Sequence, residues 1–254
     1  MSAILYGHRL SQPCRAVEIL LREIGMPYHW QEIDFAHGQT HETWFAERIN
    51  PFETIPALAM SAETEQATDS PVLGESHAIL RYICRTAEDI ETAHRWYPGD
   101  TDRGRSGQID QWLAWHHGHI RRYDMFHDIM NLHLTLPMLK REIRQTALRP
   151  LQQGLNTSLA VLERHFERQP DNTTHAPTLA SGPHPTLADL SLSCELYQIV
   201  AVGYRFDRYP RVSRWLDAMA QRPHFQDVSE QLLEQGTTIR QQNSEYLDLA
   251  NAFG

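Results

Sequence analysis

Residues 3–24, Ala-Ile-Leu-Tyr-Gly-His-Arg-Leu-Ser-Gln-Pro-Cys-Arg-Ala-Val-Glu-Ile-Leu-Leu-Arg-Glu-Ile, decide how the chain is built. Ala3-Ile4-Leu5-Tyr6 is a short apolar run of the kind that forms a buried strand. A polar turn follows. Beyond Ser11, the residues Ala16, Val17, Leu20, Leu21 and Ile24 recur at the spacing of one helix face. Ser11 stands where an N-cap belongs, and Pro13 suits a first turn whose N–H groups have no intrahelical partner. A strand therefore hands over to a helix with a hydroxyl at the helix mouth. Unpaired N–H groups and the positive end of the helix dipole converge there, which favours an anion. Two readings of Ser11 stay open: a plain cap, or a hydroxyl that serves a bound anion.

Outward from this stretch, Gly25-Met26-Pro27 breaks the helix and Tyr28–Asp34 alternates as a second strand. His41–Arg48 is a short helix candidate. Asn50-Pro51-Phe52-Glu53-Thr54-Ile55-Pro56-Ala57-Leu58 leads into a third strand, residues 61–70 form a polar insert, and Val72-Leu73 is a short fourth strand. Glu75-Ser76 opens a helix with Ala78, Ile79, Tyr82 and Ile83 on one side. This β-α-β then β-β-α order is that of a small thioredoxin-like α/β domain over residues 1–86. Residues 87–102, polar and containing Pro98-Gly99, suit a linker.

From Arg103 the pattern is helical almost throughout, giving an all-α domain over 103–254 with a C-terminal extension. Ile109, Trp112, Leu113, His116, Ile120 and Tyr123 make one long stripe. Pro137 and Pro150 bracket or bend the next helix, whose apolar face is Leu155, Leu159, Leu162 and Phe166. A loop over 170–185 precedes a helix opened by Thr186 and Asp189, spaced as a capping box. Tyr209-Pro210 opens a further helix that Pro223 is expected to end. The last 25 or so residues suggest only weak helices.

The 254 residues carry a formal net charge of -9, and no basic block occurs, which argues against a nucleic-acid partner. No run approaches the roughly 20 apolar residues of a membrane span. No basic start followed by an apolar stretch marks a secretory signal, so a cytoplasmic protein is expected. Three separated cysteines, Cys14, Cys84 and Cys194, fit a reducing compartment rather than a disulfide framework. Fifteen histidines are numerous, and His116 and His119 could share a helix face. Without a third ligand in a recognisable spacing, no metal site is expected.

Two further places carry chemistry. The Ile55-Pro56 bond is of the one type where a cis peptide is cheap. A cis bond would turn the Ile55 backbone groups outward to pair with an extended peptide, and a trans bond would make Pro56 a plain strand start. Glu75 and Ser76, at a helix start, can hold an ammonium and a carboxylate, or serve only as dipole-compensating acid and cap.

Together, Leu10-Ser11-Gln12-Pro13-Cys14-Arg15-Ala16, Asn50-Pro51 with Ile55-Pro56-Ala57-Leu58, and Glu75-Ser76-His77-Ala78-Ile79 resemble the glutathione-binding half of the glutathione S-transferase family. Asp110–His117 with Ile120-Arg121-Arg122 resembles the first C-terminal-domain helix of its theta-like branch. The Thr186–Asp189 pair is similar to the family's structural N-cap. The resemblance covers nearly the whole chain and implies a glutathione transferase, a homodimer that conjugates the glutathione thiolate to small hydrophobic electrophiles such as halides and epoxides.

Residue by residue, the resemblance implies that Ser11 donates to the glutathione sulfur and that Arg15 aids the thiolate, a surface salt bridge being the other reading of Arg15. Gln12, His41, Thr54, Ile55, Pro56, Glu75 and Ser76 complete the glutathione site. Thr54 stands where the theta-like branch commonly has Lys, and Thr40 separates Gly38-Gln39 from His41, so the glycine end of glutathione is expected to be weakly held or reached by His41. Trp115, His119 and Tyr123 are the electrophile-pocket candidates, expected between the domains, with core packing the other reading of Trp115. Asp110 is the candidate contact to a partner subunit. Tyr6 and Cys14 are expected to be core rather than catalytic. Two rival readings are a glutathione-dependent disulfide reductase or peroxidase on the same scaffold, and a non-catalytic binding protein.

Overall fold

The computed structural model describes residues 3–60, 72–123, 145–169 and 175–242, without the side chains of 145–149 and 242. The chain divides into two units, Met1–Ser106 and Gly107–Gly254. The polar insert at 61–70, Pro137 and the end of the C-terminal extension lie outside the described residues.

The first unit runs β1 (Ala3–Gly7), α1 (Gln12–Ile24), β2 (Tyr28–Glu32), α2 (Thr43–Arg48), β3 (Ala57–Met60), β4 (Val72–Leu73) and α3 (Ser76–Thr86). The sheet order is β2-β1-β3-β4. β1 and β2 are parallel, with Gly7 opposite Glu32. β3 runs antiparallel to β1, with Ala57 opposite Tyr6, and β4 antiparallel to β3, with Leu73 opposite Leu58. This register brings the end of β1, the start of β3 and the end of β4 to the same edge of the sheet. The turns that leave from there carry Ser11, Ile55-Pro56 and Glu75-Ser76.

α1 packs against α3. Its buried face includes Cys14, Val17, Leu20 and Leu21, and Gly25, at φ 71°, closes it with a left-handed cap. Glu18, also on α1, is fully buried and ties three elements together. It accepts from Arg9 Nε (3.0 Å) and Nη2 (2.8 Å), from Arg22 Nη2 (2.6 Å) and from the Tyr28 hydroxyl (2.9 Å). Cys14 is core as expected, wholly buried against Gly7, while Tyr6 is partly buried and packs on the Ile33, Phe45 and Ala57 cluster.

The segment expected as a linker is not a bare connection. It carries α4 (Ile90–Trp96), whose N-terminus is capped by Asp89 accepting from Thr92 N–H at 3.0 Å. Ala93, Trp96 and Tyr97 are buried, and α4 packs on α3 and α1. These scattered apolar positions give no clear period in so short a helix, which is why the polar composition misleads.

The second unit holds most of α5 (Arg103–His119), then α6 (Gln145–Glu167), α7 (Leu187–Ala201), α8 (Pro210–Ala220) and α9 (Pro223–Gln242). α8 packs against α6, α7 and α9, and α9 also against α7. Pro223 begins the long helix α9 rather than merely ending its predecessor, because proline is tolerated in a first turn. Phe225, Val228, Leu232 and Ile239 are its buried apolar side chains. Gly236 lies so close to α7 that a Cβ there would stand 2.3 Å from the Ala201 carbonyl oxygen.

Asp189 is the polar hub of this unit. Fully buried, it accepts from the Thr186 N–H and hydroxyl (both 2.8 Å), from Leu179 N–H (2.8 Å) and from the Trp215 indole (3.0 Å). His116 is equally buried, with Nε2 3.0 Å from Glu195 and Nδ1 3.3 Å from the Ser191 hydroxyl. Burial, with Arg121 and His117 adding to it, pulls its pKa well below the ordinary histidine value. His119 is exposed, so the two do not share an environment. No group of three His, Cys, Asp or Glu side chains among the described residues could hold a metal ion.

Candidate functional site

Ser11 occupies the N-cap position of α1 with extended backbone (φ −78°, ψ 118°), and its side chain makes no capping hydrogen bond. The plain-cap reading therefore does not account for it. The residue is only partly buried, and no acidic side chain occupies the first turn of α1 to neutralise the positive helix end.

The turn that presents Ser11 is tightly tied. Ser11 N–H donates to the His8 carbonyl at 2.9 Å, and Leu10 N–H donates to His8 Nδ1 at 3.1 Å. Arg15 is wholly buried, and its Nη1 donates to the carbonyls of Arg9 (2.9 Å) and Leu10 (3.1 Å). The surface-salt-bridge reading of Arg15 is thus corrected: one helical turn below Ser11, its guanidinium folds back onto the turn instead of reaching solvent. Gln12, the first residue of α1, is buried beside it.

On the neighbouring turn the Ile55-Pro56 bond is cis. Neither the N–H nor the C=O of Ile55 makes a backbone hydrogen bond with another described residue. Buried Asn50 anchors this turn: its Nδ2 donates to the Thr54 carbonyl (2.7 Å) and hydroxyl (3.2 Å), and its Oδ1 accepts from Phe52 N–H (3.1 Å). A Cβ on Gly74 would stand 2.9 Å from Asn50 Oδ1, so glycine is needed where this turn meets the β4–α3 connection.

That connection delivers Glu75 and Ser76. Ser76 is buried at the first position of α3. Glu75 is exposed and has φ 62°, a left-handed conformation costing a non-glycine residue about 1–3 kcal/mol. Strain of this kind persists where surrounding structure enforces it, and it concentrates at ligand sites. Thr54 is exposed, with its hydroxyl and carbonyl both engaged by Asn50. His41 is exposed, and its Nδ1 lies 2.6 Å from Glu53. The histidine that could reach a glycine carboxylate therefore already has an acidic neighbour, and Glu53 itself has φ 55°.

In the second unit Trp115 stacks on His119 with ring centres 4.7 Å apart and planes within 10°, and meets Trp112 edge-on at 5.3 Å. Trp115 is half-buried and His119 exposed. Tyr123, also half-buried, lies over Gly154, where an added Cβ would come within 2.2 Å of its ring. Asp110 is partly exposed on α5. A cavity of about 300 Å³ elsewhere in this unit is lined by Phe166, Gln169, His175, Arg211 and Arg214, and includes none of the expected site residues.

Sequence reasoning took Asn50 only as part of the Asn50-Pro51 motif, with no role of its own, and did not single out His8 or Glu53 as parts of the site. Asn50 carried a signal, as an amide directly before a proline. The other two carried none, since their partners are brought to them by the folded turns.

The β2-β1-β3-β4 sheet, with its site-bearing turns at one end, and the helical second unit define a two-domain class with a thioredoxin-like N-terminal half. The chain belongs to the glutathione S-transferase family. Residues 5–91 match the family model "Glutathione S-transferase, N-terminal domain", and residues 144–218 match "Glutathione S-transferase, C-terminal domain". Glutathione S-transferase theta-1 of Mus musculus is 30% identical over 238 residues, covering 91% of this chain and 88% of the relative. Glutathione S-transferase T1 of Arabidopsis thaliana is 30% identical over 241 residues, covering 92% and 90%. Among solved structures, human glutathione transferase theta-2, in complex with glutathione and an unknown ligand, superposes with a TM-score of 0.75 at 26% identity, covering 94% of this chain and 91% of that one. A human theta-class transferase in complex with the glutathione conjugate of 1-menaphthyl sulfate gives 0.73 at 25% identity, covering 96% and 91%.

Proposed function

We propose that this protein is a glutathione transferase in which the Ser11 hydroxyl stabilises the glutathione thiolate for attack on a small hydrophobic electrophile. The observation that carries this reading is the Ser11 hydroxyl itself, at the N-cap of α1 yet making no capping bond. A cysteine thiol has an unperturbed pKa of about 8.5 and is mostly protonated at neutral pH. Lowering it by about two units requires roughly 3 kcal/mol of preference for the thiolate. One hydrogen bond to a charged sulfur, together with a helix N-terminus, supplies about that much. The thiolate then displaces a halide or opens an epoxide, and the sulfur–carbon bond forms as the leaving group takes the electron pair.

In this reading the Ile55 backbone pairs with the cysteinyl unit of glutathione beside Pro56. Glu75 takes the ammonium and Ser76 the carboxylate of its γ-glutamyl end, and Gln12 stands beside Ser11 at the start of α1. Arg15 acts by holding the Ser11 turn. The glycine carboxylate rests near Thr54 and His41, and Glu53 weakens its grip. Trp115, His119 and Tyr123 offer the electrophile an aromatic surface. The relatives named theta, and the theta-class structure holding a glutathione conjugate, support conjugation as the activity. We further assign the protein to the cytoplasm as a homodimer, with Asp110 at the partner contact.

Ser11→Ala is expected to raise the barrier with a halide or epoxide by about 2–3 kcal/mol, the range for losing one preorganised donor. Steady-state kinetics of the variant at saturating glutathione measure this directly, and unchanged turnover refutes the assignment. The disulfide-reductase reading finds no support in Cys14, which is wholly buried. Assays with mixed disulfides and hydroperoxides separate that reading from conjugation, and calorimetry with glutathione separates both from a non-catalytic scaffold.

A further inference from the structure

His8 sits in the turn between β1 and α1 and has a part in the site that its sequence position does not announce. A backbone N–H can only donate, so the 3.1 Å contact from Leu10 N–H makes His8 Nδ1 an acceptor. The neutral ring then carries its proton on Nε2, which lies 3.5 Å from Glu32 Oε1. The Phe35 ring meets the imidazole edge-on at 5.1 Å. The His8 carbonyl accepts the Ser11 N–H at 2.9 Å, so ring and backbone of this one residue bracket the turn.

We propose that His8 is a positioning residue for the thiolate-stabilising hydroxyl: its neutral imidazole, accepting from Leu10 N–H, fixes the turn that aims Ser11. This rests on the Ser11 reading above. Protonation of Nδ1 sets two N–H groups against each other and breaks the bond. The turn then loosens and the sulfur loses its partner. The charged groups around the ring are Glu32 at the end of β2, Asp34 in the next turn with His37 paired to it at 2.7 Å, and Arg9 beside it in the chain, engaged by Glu18. Burial pulls the His8 pKa below the ordinary histidine value, with Glu32 and Asp34 opposing. The ring is therefore neutral at physiological pH, and the turn is intact there. The bond is lost only as pH falls through that lowered value.

The test uses glutathione as the probe and reads the ultraviolet absorbance of its bound thiolate against pH in the full-length protein. In the wild type, acid should remove the thiolate over a narrower pH range than a single proton allows, because His8 and the sulfur titrate together. His8→Asn keeps an acceptor near the Nδ1 position but does not titrate. Its curve should broaden to that of one proton and retain thiolate at lower pH. His8→Leu keeps bulk but removes the acceptor, and should raise the thiol pKa by about one unit, or tenfold less thiolate on the acid side. Asn should recover most of what Leu loses, a rescue that packing alone does not explain. Ser11→Ala, run in parallel, should abolish the thiolate. If it does, and both His8 variants follow the wild-type curve, the His8 assignment is overturned while Ser11 stands. Thiolate retained in Ser11→Ala overturns both. Should His8→Leu fail to fold, a His8→Asn curve identical to the wild type overturns the proposal by itself.

Discussion

Glu75 is the residue at which local strain and ligand chemistry meet. Its φ of 62° is one that glycine adopts without penalty and glutamate does not. Glu75→Gly should therefore raise stability by about 0.5–1 kcal/mol, after the larger unfolded-state entropy of glycine is set against the relieved strain. The same change removes the carboxylate proposed to hold the glutathione ammonium. Thermal denaturation should show a slightly higher Tm, and the KM for glutathione should rise. A lower Tm would mean that the left-handed backbone is not strained, and an unchanged KM that the carboxylate touches no ligand. Ser11 is the complementary case, a residue in ordinary conformation whose hydroxyl has been left out of the cap it sits on.

Among the elements, α1 is held to its neighbours by buried Glu18. Burial pushes its carboxyl up, but the hydrogen bonds from Arg9 and Tyr28 and the nearby Arg22 more than offset this, and its pKa lies below the ordinary value of 4.5. A carboxyl depressed in the folded state contributes stability that is complete above the unfolded value and lost as pH falls through the folded one. Glu18→Gln should cost roughly 3 kcal/mol at neutral pH, because the partly exposed Arg9 and Arg22 lose a fully buried partner. The gap to the wild type should shrink below about pH 4.5. Urea denaturation at pH 7 and pH 3.5 checks both parts, and a gap constant with pH would mean that the cost is steric. Asp189 plays the same part between α7, α8 and the preceding loop. It was legible as a capping residue from its spacing to Thr186, but its bond to the Trp215 indole, 26 positions away, was not. A box spans one helical turn, whereas the indole arrives only when two helices pack.

For the whole molecule, the family assignment and the homodimer proposed with it make a further prediction. Sedimentation equilibrium should give about twice the 29.4 kDa chain mass. A monomer at micromolar concentration would remove Asp110 from any subunit contact. Saturating glutathione at about 100 times its Kd should add about 2.7 kcal/mol to unfolding, since the ligand binds only the folded chain.

Readable from local pattern alone were the alternation of strands and helices in the first unit, the helices described in the second, and the placing of Ser11, Ile55-Pro56 and Glu75-Ser76 at element ends. Each of these is written in spacings of a few residues, where periodicity, caps and breakers act locally. Packing in three dimensions was needed to turn Arg15 inward to the Arg9 and Leu10 carbonyls, to make residues 90–96 a packed helix, and to let His8 accept from the Ser11 turn. These outcomes depend on burial and on partners delivered by packing. A charged or polar side chain carries no local sign of whether its neighbour in space will be water or a carbonyl.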